Sequence, residues 1–149
     1  MKHSEIVLAI TFVIFASVLS ACSTSSTQNF HDLSVDASGE NMPMGTDGMM
    51  TGLADGSATG TFTVNENFKE ICYSIMTKQM TGMTEAHIQV TASEEDVVVF
   101  DIANMNIMNE SCMSVDSNIL MDMVEQPDKY SLMVHTDAFP DGAVMGSLK

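Results

Sequence analysis

The sequence predicts an all-β domain, a β-sandwich or flattened barrel carrying one short helix. Apolar residues recur at every second position in successive stretches between residues 59 and 148, the spacing of a strand with one buried face. Turn-forming groups separate them: Thr81-Gly82, the acidic stretch from Ser93 to Asp96, and Pro140-Asp141-Gly142. A single segment, 114–126, is spaced as a helix instead. Short strands with tight turns and one helix pack as two facing layers or as one closing sheet.

Taken in order, residues 1–21 are expected to be removed before folding. Lys2 opens the chain with a positive charge, Ile6 to Leu19 is almost unbroken apolar sequence, and Leu19-Ser20-Ala21-Cys22 follows. That order is a secretory signal peptide, and its apolar run is shorter than the roughly 20 residues a membrane span needs. The last four residues resemble the lipobox of bacterial lipoproteins. The resemblance implies that the Cys22 thiol takes a diacylglycerol and becomes the first residue of the mature chain. Ser23, in place of aspartate, then implies the outer membrane of the cell envelope. The alternative is an ordinary signal cleaved near Ala21. A lipid anchor tethers without spanning, so the membrane is the first expected partner. Residues 22–29 are the lipidated cysteine and a Ser/Thr-rich spacer, and residues 30–149 are one domain.

Within that domain, Phe62 and Val64 alternate with Thr59, Thr61 and Thr63, and Ile71, Tyr73 and Ile75 alternate with Cys72, Ser74 and Met76. Ala86, Ile88 and Val90 alternate with Glu85, His87 and Gln89. Val97 to Ile102 is a denser apolar run, expected of a strand buried on both faces. Tyr130, Leu132 and Val134 alternate with Ser131, Met133 and His135, and a last short strand is expected from Ala143 to Leu148. Between these, Ile119, Leu120, Met123 and Val124 share a helical face, with Asp116 or Ser117 able to cap its start and Pro127 just past its end. That helix is expected to cover an open end of the sheets.

Charge excludes one class of partner. The chain has 20 acids, five lysines and no arginine, for a net charge of −15, and removing residues 1–21 takes Lys2 and Glu5 together and leaves it there. Such a surface repels nucleic acid. Once Cys22 is spent on lipid, Cys72 and Cys112 are an even pair in an oxidising compartment and are expected to form a disulfide. The alternative, a two-thiolate metal site, needs reduced cysteines.

Four phrases then come into view together: Ile71-Cys72-Tyr73-Ser74-Ile75, Thr81-Gly82-Met83-Thr84-Glu85-Ala86-His87-Ile88, Tyr130-Ser131-Leu132-Met133-Val134-His135-Thr136, and Phe139-Pro140-Asp141-Gly142-Ala143-Val144-Met145-Gly146-Ser147-Leu148. With Ser38-Gly39-Glu40-Asn41-Met42-Pro43 as an entry motif, they resemble the CHRD domain, named for chordin and found in many secreted bacterial proteins. The resemblance covers residues 30–149 and implies an immunoglobulin-like, all-β domain of extracellular context. In chordin, such domains belong to a protein that binds growth factors. Cys112 sits where the family commonly has its second cysteine. Two positions depart from the pattern: Gln89 follows His87-Ile88 where the family has a second histidine, and Met145 replaces a usual arginine.

Two groups of side chains have the chemistry of a soft-metal site. The chain has 15 methionines, and thioethers suit Cu(I). Met42, Met44, Met49 and Met50 fall in a stretch with no core periodicity. For Met76, Met113 and Met123 the simpler reading is a flexible filler of the core. If the strands bearing His87, His135 and Met145 are neighbours, alternation puts His87, Met133, His135 and Met145 on one outer face. Against this stands an ordinary polar face with surface histidines. Glu94-Glu95-Asp96 reads as a solvated turn without the ligand spacing of a calcium loop, and Asp137 is expected beside His135 as a surface pair. No serine sits in a nucleophile elbow and no glycine-rich phosphate loop is present, so an enzyme is not expected. The expected function is a non-catalytic, membrane-anchored binding module whose partner is a protein or surface polymer. The alternative is a copper-binding or copper-buffering lipoprotein.

Overall fold

Alternation becomes burial wherever two strands pair. The structure, a computed structural model, describes residues 29–149 apart from Glu66 and Phe68. The expected signal segment, Cys22 and the expected spacer to residue 28 lie outside the described residues. Eight strands follow in order: β1 (Phe30–Ser38), β2 (Ser57–Asn65), β3 (Glu70–Lys78), β4 (Met83–Val90), β5 (Glu95–Phe100), β6 (Ser111–Ser114), β7 (Tyr130–Thr136) and β8 (Phe139–Ser147). One helix, α1 (Ser117–Glu125), joins β6 to β7. The strands form a single antiparallel sheet in the order β5-β4-β7-β8-β1-β2-β3-β6.

That sheet curls until its ends face each other. Phe100 of edge strand β5 packs on Phe62 of β2 and Tyr73 of β3, with ring centroids 5.8 and 4.6 Å away. Those strands are far along the same sheet, so β5-β4-β7-β8 and β1-β2-β3-β6 are the two layers of a sandwich made from one ribbon. Leu33, Val35, Phe62, Val64, Ile71, Ile75, Ile88, Leu132, Val134 and Val144 fill the space between. The fold occurs where β8 crosses β1. There Ser38 pairs Met145 and Val35 pairs Leu148, and Ser34 and Lys149 exchange backbone hydrogen bonds of 3.1 and 3.0 Å. A Cβ on Gly146 would stand 2.4 Å from the Asp36 carbonyl oxygen, so the close crossing depends on glycine.

The expected helix is present but shorter, Ser117–Glu125, because Ser114 ends β6. Asp116 caps it by accepting from the Asn118 amide at 2.8 Å, and it stops just before Pro127. Leu120 and Met123 are fully buried in the common core, so the crossover from edge strand β6 to β7 packs against the sandwich interior. The Tyr130 hydroxyl donates to Asp122 at 2.6 Å and fixes the helix to the start of β7. Burial, and then the Asp122 carboxylate, push the Tyr130 hydroxyl up to about 12. The bond from Tyr130, and secondarily Lys129, hold Asp122 below its usual value.

Five expectations need correction. The run from Val97 is not buried on both faces: β5 is an edge strand with Val99 52% exposed, and Ile102 belongs to a separate 3-10 turn. Strands β1 and β6 were not among those expected. Pro140-Asp141-Gly142 is not the β7–β8 turn, which is made at Asp137 and Ala138; the three residues instead arch out of β8, which runs from Phe139 to Val144 while β7 advances from Thr136 to Val134. Asp137 does not pair with His135; its amide donates to the Gly82 carbonyl. Met76 is exposed rather than a core filler, whereas Met123 is buried in the core.

Cys72 and Cys112 are directly opposite each other on β3 and β6 and are joined as a disulfide. The bond pins the four-residue edge strand to the sheet.

Candidate functional site

The strands β4, β7 and β8 are neighbours, and their register puts His87 opposite Met133 and Met133 opposite Met145. Glu85, His87 and Gln89 of β4 therefore share the outer face with Met133 and His135 of β7. That face is not solvated as alternation alone implies: His87 is only 4% exposed, Gln89 is 5% and Met133 is 8%. The cover comes from the long β1–β2 connection, which folds back across β8. The Asn41 side chain donates to the Met145 carbonyl at 3.0 Å, and the Leu53 amide donates to the Ala143 carbonyl at 2.8 Å. Between these two ties Met42 turns inward and is buried.

What remains open is a cleft of about 820 Å³. Met42 and Pro43 form one wall, the Pro140–Gly142 arch another, and His87, Met133 and His135 the floor, with Glu94 and Asp96 at the rim. Among the described residues no lysine lines it, so its field favours cations.

Each histidine makes its hydrogen bonds through one ring nitrogen only. Nε2 of His87 lies 3.0 Å from a carboxylate oxygen of Asp96 and 3.1 Å from the amide oxygen of Gln89. Both partners accept, so Nε2 carries the hydrogen. Nδ1 of His87 is buried and makes no hydrogen bond, although a Glu85 carboxylate oxygen stands 3.5 Å away. In His135, Nδ1 donates to the Pro140 carbonyl at 2.8 Å, since a carbonyl can only accept. Its Nε2 is buried and unpartnered. The two ring centroids are 5.0 Å apart.

Two thioethers converge beside them. A Cβ built on Gly142 would stand 3.0 Å from the Met133 sulfur and 3.2 Å from the Met42 sulfur. Gly142 has φ of 123°, a conformation that glycine alone adopts readily, and its missing side chain leaves room for both sulfurs.

The sequence-derived candidates thus divide. His87, His135, Met133 and Met42 meet in the cleft. Met145 neighbours Met133 across the ladder but lines a second, smaller hollow with Asp36, Asn41 and Lys149. Met44, Met49 and Met50 are exposed on a small hairpin closed by a Met44–Met50 bridge. Reasoning from sequence missed Asp96, treated as a turn residue, along with Gln89, Glu85, the Pro140 carbonyl and Gly142. The β4–β5 register that brings Asp96 opposite Gln89 includes a bulge at Ile88/Gln89, for which alternation gives no sign.

An antiparallel sandwich curled from one sheet, clamped by a disulfide and opening a His/Met cleft on its outer face, makes a small all-β domain. The chain belongs to the CHRD domain family, whose model matches residues 33–148. No curated protein matches the chain, and no solved structure matches it.

Proposed function

We infer that this protein is a non-catalytic binding module, displayed outside the cytoplasm on a lipid attached at Cys22, and that the His/Met cleft is its binding site. One observation carries the reading. Buried His87 and half-buried His135 each keep a buried ring nitrogen without a hydrogen-bond partner, and a buried polar atom left so costs about 1–3 kcal/mol. A fold that needed only packing at this face would place apolar side chains there. Among the described residues lining the cleft, Thr51 has the one hydroxyl, which donates to the Pro43 carbonyl at 2.6 Å. Neither histidine hydrogen-bonds a side-chain hydroxyl or thiol among the described residues, so no nucleophile–base pair for covalent catalysis is assembled there.

The reading is tested by mapping amide shifts of the full chain against metal ions and fragments of envelope polymers. Shifts centred on Met42, His87, Met133 and His135 are expected. Shifts centred on the exposed side of α1, or turnover of any fragment, would contradict it.

A further inference from the structure

We propose that the ligand of the cleft is a single Cu(I) ion, held by Nδ1 of His87, Nε2 of His135 and the sulfur of Met133, with the Met42 sulfur closing the site. The inference rests on the cleft being the binding site and names what it binds.

The argument begins with the donors. A histidine that ligates a metal ordinarily donates its other ring hydrogen to a carboxylate or carbonyl, which fixes the tautomer and leaves the ligating lone pair bare. Both rings have that arrangement before any ion is added: His87 leans on Asp96 and His135 on the Pro140 carbonyl, and the nitrogen left over in each is buried and unpartnered. An ion about 2.0–2.1 Å from each nitrogen needs the two nitrogens within about 4 Å of each other, and the ring centroids are 5.0 Å apart. Met133 is directly across the ladder from His87 and two residues from His135 on the same face, so its thioether reaches the same volume. Met42 supplies the second sulfur, brought within 3.2 Å of the point that a Gly142 side chain would occupy.

The choice of metal follows from softness. Imidazole serves zinc, copper, iron and nickel alike, but thioether sulfur selects Cu(I). A carboxylate at 3.5 Å from Nδ1 offsets the ion's charge, and among the described residues no lysine in the lining opposes it. Asp96 is a positioning residue, acting through the His87 ring.

The test is a Cu(I) titration of the full chain, kept reduced with ascorbate and read by competition with a chromogenic Cu(I) chelator. One equivalent should bind far more tightly than micromolar. His87→Ala with His135→Ala should weaken binding by at least about 100-fold, and Asp96→Asn by about 10- to 100-fold. Met133→Leu and Met42→Leu preserve volume, so their loss of Cu(I) affinity is read on a folded protein, checked by circular dichroism. Binding unchanged in the histidine pair would overturn the proposal and move copper to the exposed Met44–Met50 hairpin. Zn(II) displacing Cu(I) would overturn the choice of metal. If Cu(I) fails to bind while polymer fragments still shift the cleft amides, the copper proposal falls and the binding module stands. If neither acts there, both fall.

Discussion

Tyr130 and Asp122 show how one hydrogen bond ties stability to pH at both extremes. The Tyr130 hydroxyl is raised from 10.0 to about 12 in the folded chain, so the fold holds that proton more tightly than the unfolded chain does. Its contribution is complete below the unfolded value and is lost as pH rises from 10 through about 12. Asp122 shifts the other way. Its contribution is present above the ordinary carboxylate value of 3.8 and disappears as pH falls through the lower folded value. Tyr130→Phe should flatten both limbs of the stability–pH profile measured by urea midpoints; an unchanged acid limb would show that the bond does not bias Asp122. Cys72–Cys112 closes a separation of 40 residues, worth up to about 4 kcal/mol in the chain-entropy model. Reduction should lower the unfolding free energy by an amount of that order. At this scale the sequence was readable where chemistry is intrinsic to the residue: the cysteine pair, the Asp116 cap and the His87/His135 face all follow from residue type and alternation. Asp96 and Gly142 did not, because their roles depend on a bulge and an arch that put them opposite partners distant in the chain.

Among the elements, the helix and the β8 arch are the two departures from plain strand pairing, and each has a task. Leu120 is fully buried in the common core, so Leu120→Ala should cost about 2–5 kcal/mol by leaving a cavity. Asp116→Ala, which removes only the cap, should cost about 1 kcal/mol. Equal losses from the two would mean that α1 is held by its own cap and not by the core. In the arch, Gly142→Ala imposes a side chain on a φ of 123° and drives its Cβ within 2.5 Å of the Met42 methyl. The backbone strain should cost about 1–3 kcal/mol, and the displaced sulfurs should weaken ligand binding as well. Strand β7 was legible because alternation and β-branched residues coincide there. Strand β1 was not expected, although Leu33, Val35 and Ala37 do point inward; Asp32, Ser34 and Asp36 between them dilute the strand signal to a polar segment. The dense run at β5 misled in the opposite sense, because hydrophobicity alone does not tell a central strand from an edge whose outer face carries Val99.

For the molecule as a whole, the curl of one sheet produces both a closed interior and an outer face that the β1–β2 connection half covers. The interior keeps the fold, and the uncovered part is the cleft. The binding-module reading adds a lipid anchor at Cys22. Cys22→Ser should move the protein from the membrane fraction to the soluble extract; retention in the membrane would refute the lipid anchor. The most direct measurement is a long-range proton–nitrogen spectrum of the histidine rings in the full chain, recorded where the imidazoles are neutral, before and after one equivalent of Ag(I) as a redox-inert stand-in for Cu(I). His87 should be the Nε2–H tautomer and His135 the Nδ1–H tautomer, with Ag(I) moving only Nδ1 of the first and Nε2 of the second. Rings that exchange freely between tautomers, or bare nitrogens that Ag(I) leaves untouched, would contradict the account.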